Sequence, residues 1–137
     1  MNGMNASMMI TCQMDSGVET AAVIFFAMVI GHALADYPLQ GRFLSMAKNR
    51  HADVSCLFGG EKPPRGIWIH ALTAHSLIHS GMVWLLTGSV ALGLVELVLH
   101  WLIDFAKCEK LMNFTVDQLL HVACKAGYAL FILYNLQ

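Results

Sequence analysis

Four long apolar stretches, each interrupted by a few polar residues, organise this chain. They cover about residues 17–36, 66–87, 89–106 and 115–135. Each is close to the ~20 residues that an α-helix needs to cross a hydrocarbon core. Pro38 stops the first soon after Asp36, and Gly88 separates the second from the third. The pattern predicts an all-α fold: a four-transmembrane-helix bundle forming a single helical membrane domain over residues 17–137. A compact soluble bundle with the same polar residues inside is the alternative fold.

The connections differ in length. Residues 37–65 form the only long one. Within it, LQGRFLSMAKNR at 39–50 predicts a short amphipathic helix at the membrane surface. Leu39, Phe43, Leu44 and Met46 would dip in, while Arg42, Lys48 and Arg50 would face headgroups. Gly59, Gly60, Pro63 and Pro64 mark irregular chain. Residues 1–16 are rich in Met, Asn and Ser and read as a disordered or frayed tail. They lack the basic start of a signal peptide.

Composition sharpens the membrane reading. Hydrophobic residues make up 57% and charged residues 12%, whereas a soluble domain is about a quarter charged. A net charge of -1 argues against nucleic acid as a partner. Cys12, Cys56, Cys108 and Cys124 show no CxxC spacing, so neither a zinc ribbon nor a redox pair is indicated. Arg42, Lys48, Arg50, Lys62 and Arg65 lie in the first connection, and Lys107 and Lys110 in the third. In a four-span protein these connections share one side, which the positive-inside rule makes cytoplasmic. Both termini are then expected outside a bacterial cytoplasmic membrane.

The polar residues inside the apolar stretches recur at four-residue spacing. They are His32 with Asp36, His75 with His79, Glu96 with His100 and Asp104, and Asp117 with His121. That spacing puts each set on one helical face. With the expected topology, every set also falls in the cytoplasmic half of the bilayer. Ionisable groups in a membrane are costly and usually mark a site. Mixed imidazole and carboxylate donors suit a first-row divalent metal, zinc foremost. The candidate ligands are His32, His75, His79, His100, Asp104 and His121. Asp36, Asp117 and Glu96 are candidate general bases. His51 and His70 are expected outside the cluster. Lys125, four residues after His121, could pair with Glu96 or Asp104, or meet an anionic substrate.

His32-Ala-Leu-Ala-Asp36-Tyr-Pro-Leu-Gln40 with the later Lys48 resembles the opening motif of domain-of-unknown-function family 3307, small membrane proteins of bacteria and phages. His100-Trp-Leu-Ile-Asp104-Phe-Ala-Lys107 and Asp117-Gln118-Leu-Leu-His121 resemble its later motifs. The resemblance covers roughly residues 25–130 and implies no settled activity. Thr73-Ala74-His75-Ser76-Leu77 is more distantly similar to a motif of inner-membrane proteins described as metal-dependent hydrolases. The expectation is a membrane protein with an intramembrane metal site, hydrolysing a lipid-linked ester or phosphoester. The alternative is a non-enzymatic metal- or proton-binding transporter subunit, sensor or phage accessory protein. Membrane lipid is the expected partner, and a transport pathway through so short a chain would require a homo-oligomer.

Overall fold

The structure, a computed structural model, describes the backbone of residues 6–136 and the side chains of residues 15–136. It is all-α. Helix α1 spans Ala6–Asp36, α2 Gly41–Ala47, α3 Ile67–Thr87, α4 Val90–Cys108 and α5 Phe114–Leu136, with one 3-10 turn at Ser55–Phe58. Helix α1 packs on α3 and α5, and α4 packs on the same two, so four long helices close a ring. The short helix α2 lies against α3.

The helix ends follow from local chemistry. Pro38 disfavours helical backbone at the residue before it, and α1 ends at Asp36. Gly88 adopts φ 69°, and its N–H reaches the Trp84 carbonyl at 2.8 Å, capping α3. The Ser89 side chain then accepts the Leu92 N–H at 3.3 Å to begin α4. Asn113 does the same for α5, its side chain accepting the Val116 N–H at 2.9 Å. At Gly93 the α3 and α4 backbones come close: a Cβ there would meet Trp84 Cβ at 3.1 Å and the Ser80 carbonyl at 3.2 Å. Ser80 Oγ seals the contact by donating to the Gly93 carbonyl at 2.7 Å.

The solvation pattern is inside out for a water-soluble bundle. Lys125, His75, His79, His100, His121, Glu96 and Asp117 are among the most completely buried side chains. Phe26, Leu85, Leu94, Val98, Leu119, Leu130 and Phe131 are exposed. An apolar core exists but is small: Met28, Val83, Leu92, Tyr128 and Ala129, flanked by Ile24, Phe25, Cys124 and Ile132. Exposed apolar surface on this scale calls for a covering.

Two helices are long and apolar enough to cross a membrane among the described residues: α1 over Asp15–Asp36 and α5 over Phe114–Leu136. Their windows are only 28% and 22% buried, unlike the core helix of a soluble protein. Helices α3 and α4 have comparable lengths of 21 and 19 residues. What lowers their apolar character is the polar set itself, His70, His75 and His79 on α3 and Glu96, His100, Asp104 and Lys107 on α4.

Two expectations need correction. Residues 6–16, expected as tail, are helical and extend α1, because no proline or glycine interrupts the run from Ala6 to Ser16. Residues 1–5 lie outside the described residues. Lys48, expected to face headgroups, turns into the bundle and is buried. Its ammonium donates to Asp104 at 2.6 Å and to Gln40 at 2.8 Å. The charge-assisted bond to Asp104 offsets the burial of its ammonium. The connection just after α2 is clamped to the end of α4 by Arg50 and His51. Arg50 bonds Glu109 at 2.6 Å and lies over the rings of Trp68 and Phe105 at 5.8 and 5.3 Å. His51 reaches the same carboxylate at 3.0 Å.

Candidate metal centre

The i, i+4 pairs face inward and meet at the end of the bundle that carries α2 and the loops. Asp36 closes α1, His75 and His79 flank the middle of α3, His100 and Asp104 lie toward the end of α4, and Asp117 and His121 occupy the start of α5. Antiparallel packing brings those four positions to one level.

Among the described residues two groups have ligand atoms mutually within 4.8 Å: Asp36, His75, His79 and His100, and His100, Asp104 and His121. In the first, Asp36 Oδ1 lies 3.4 Å from His75 Nε2 and 3.2 Å from His79 Nε2. Donors bonded to one tetrahedral zinc sit about 3.4 Å apart, given bonds of 2.0–2.1 Å. The spacing is therefore that of ligands around an ion. Among the described residues His75 Nε2, His79 Nε2 and His100 Nε2 are all buried without a hydrogen-bond partner. Buried polar atoms are normally paired, and these unpaired nitrogens beside buried carboxylates could hold a metal ion. His79 and His100 stack at 3.7 Å between centroids, which packs their rings side by side.

The surrounding residues hold the ligands in place. Glu96 sits behind His100, 3.1 Å from its Nδ1. Its carboxylate is gripped by Lys125 on one oxygen and by the Tyr128 hydroxyl on the other, the latter at 3.0 Å. With Nδ1–H donated to Glu96, His100 has Nε2 alone free for a metal. The two ligand groups share His100, so they cannot both be completed by that residue at once.

His32 belongs to neither group. It lies 3.3 Å from His79 through the two Nδ1 atoms, and its Nε2 is 3.4 Å from Gln118 and 3.5 Å from Asp36 Oδ2. Gln118 donates to both Asp36 and Asp117 at 3.1 Å. Asp117 takes the Lys107 ammonium at 2.6 Å and stands 3.5 Å from His121. Asp104 lies 3.3 Å from His75, 3.6 Å from His121 and 3.8 Å from His100. His51 and His70 are exposed and outside the cluster.

A cavity of about 420 Å³ opens at this end, lined by Asp36, Gln40, Lys48, Lys107 and Gln118 among others. Asp36 is thus both a member of the first ligand group and the residue through which the cluster meets solvent. Glu96 is not. It faces the closed interior, buried behind His100, so the geometry gives it a positioning role rather than that of a base.

Sequence reasoning missed Lys48, Lys107, Gln118 and Tyr128 as parts of the site. Lys48, Lys107 and Gln118 stand within or just after the motifs quoted above, which was the available signal. Tyr128 sits three residues beyond Lys125, one turn along the same helix face, and periodicity alone could have paired them.

These features define a class: a small helical bundle, apolar outside, with a His/Asp group inside that could hold a metal ion. The chain belongs to the family described as protein of unknown function (DUF3307), which it matches over residues 24–135. No curated protein and no solved structure matches it.

Proposed function

We propose that this chain is an integral membrane metalloprotein whose four long helices all span the bilayer. On this reading it hydrolyses a lipid-linked ester or phosphoester at the cytoplasmic face. The observation that carries the metal is a buried group: His75 and His79 Nε2, both unpartnered, stand at coordination spacing from Asp36 Oδ1, and His100 lies within 4.8 Å of all three. The apolar exterior and charged interior support the bilayer. Lys and Arg in the loops at the α2 end support placing that end, and the metal, on the cytoplasmic side, with both termini outside.

Asp36, His75, His79 and His100 would hold the ion, and zinc suits that donor set. A bound divalent ion would polarise an ester oxygen and acidify a water. The chain's own contributions are separate. Glu96 fixes the His100 tautomer. His32 and Gln118 hold the outer oxygen of Asp36. Asp117 and Asp104 hold His121, and Asp36, the carboxylate that lines the cavity, is the one placed to meet an entering water. The test is a hydrolysis screen on membrane lipids with purified protein. Asp36→Asn should abolish turnover while leaving expression intact. Full activity in that variant would remove Asp36 from the reaction.

One observation favours a second reading. Four protein donors fill a tetrahedral ion, as in structural sites, whereas catalytic zinc keeps a position open. A closed site would make the protein a metal- or proton-binding sensor or transporter subunit. X-ray absorption that finds a fifth, exchangeable oxygen ligand favours the enzyme, and its absence favours the closed site.

A further inference from the structure

Charge inside the bundle does not balance, and the imbalance selects a ligand. Four carboxylates, Asp36, Glu96, Asp104 and Asp117, face three ammonium groups, Lys48, Lys107 and Lys125. With neutral imidazoles the interior carries one negative charge. One divalent ion turns this into one positive charge. His100 has a single free ring nitrogen to share between the two ligand groups, which argues for one ion rather than two. A lone net charge in a low-dielectric bundle is costly, so a monoanion completes the site.

The cavity beside Asp36 is equipped to take that anion. Lys48 and Lys107 both line it, together with Tyr37, Gln40, Asn49 and Gln118. An ammonium has three N–H donors. Among the described residues Lys48 spends two, on Gln40 and Asp104, and Lys107 spends one, on Asp117. One donor on Lys48 and two on Lys107 are left for a ligand. Lys107 is partly exposed at the mouth, its ammonium 5.0 Å from the Phe114 ring.

We propose that this cavity binds a phosphodiester, with Lys48 and Lys107 holding its non-bridging oxygens. A phosphodiester carries one negative charge, the amount the metal-loaded bundle lacks, whereas a carboxylic ester is neutral and would leave the charge unbalanced. The inference rests on the metal reading above and deepens it by choosing between its two substrate classes. A lipid headgroup and a soluble diester share this chemistry.

The test uses the full chain in detergent micelles, loaded with zinc and titrated calorimetrically with two probes. One is dimethyl phosphate and the other is short-chain phosphatidylglycerol. Binding of at least one is expected. Phosphatidylglycerol binding tighter by tenfold or more assigns the site to a lipid, and equal affinity assigns it to soluble diesters. Lys107→Gln should weaken binding by about tenfold or more, the cost of a lost charge-assisted contact. Lys107→Arg should restore it to within a few-fold, and zinc content should not change in either variant. Zinc-loaded protein that binds neither probe overturns this inference alone, as does a Lys107→Gln protein that holds zinc and binds the probe like its parent. Protein that takes up no zinc overturns the metal reading and this inference with it.

Discussion

Replacing Lys125 by methionine probes a fully buried ion pair in the bundle. Lys125 and Glu96 are each 1% exposed, and they pair directly. Lys125→Met keeps the volume and removes the ammonium, so the Glu96 carboxylate loses its counter-charge in an apolar surround. Breaking a buried pair from one side costs about 3–5 kcal/mol. Glu96 retains the Tyr128 hydroxyl and the His100 ring N–H, which places the expected loss near the lower end, about 3 kcal/mol. The double variant Glu96→Gln with Lys125→Met removes both charges of this pair. Its amide oxygen can still accept from His100 while its NH2 donates to the Tyr128 hydroxyl oxygen, so stability should return to within about 1 kcal/mol of the parent. Reversible unfolding in mixed micelles, titrated with a denaturing detergent and followed by circular dichroism on metal-free protein, measures the cycle. Single and double variants whose losses simply add, or a single variant costing under about 1 kcal/mol, would refute the buried-pair argument.

Four further outcomes are expected. His75→Ala, His79→Ala and His100→Ala should each lose bound metal, while His70→Ala, on an exposed ring, should keep it in the same elemental assay. Glu96→Ala should reduce zinc affinity about 10- to 100-fold in a chelator competition, because His100 loses the partner that fixes its tautomer. Gly93→Val should cost about 1–3 kcal/mol in the detergent titration, since its side chain would press on Trp84 and the Ser80 carbonyl. The loop clamp should depend on acid: the Arg50 hydrogen bond, aided by His51, holds the Glu109 carboxyl below its usual 4.5. A lowered folded value means that the clamp's contribution is complete above about pH 4.5 and is lost as pH falls through the lowered value. Hydrogen exchange across residues 49–58 should therefore accelerate only on the acid side.

Helix positions were largely legible because apolar periodicity and the breakers Pro38 and Gly88 are local signals. The start of α1 was not: Met, Asn and Ser suggest a tail by composition, yet nothing in residues 6–16 stops a helix that the following apolar run has already nucleated. Four-residue spacing showed which polar residues share a face, and helix packing does bring those faces together. Spacing could not show which atoms meet. His32 and His79 looked equivalent, but His79 Nε2 turns to Asp36 Oδ1 while His32 stands behind, on the other carboxylate oxygen. Lys48 was misplaced because a seven-residue helix has too few turns to declare its buried face, and its partner Asp104 is distant in sequence. Lys125 admitted two partners by spacing, and packing selects Glu96.

The central claim is a metal ion held by Asp36, His75, His79 and His100. Elemental analysis of protein purified without chelators, combined with X-ray absorption at the metal edge, tests it most directly. The account predicts one first-row divalent ion per chain, with about three imidazole nitrogens and at least one carboxylate oxygen in its first coordination shell. Metal-free protein that still fails to take up zinc, or an ion bound through sulfur, would contradict it.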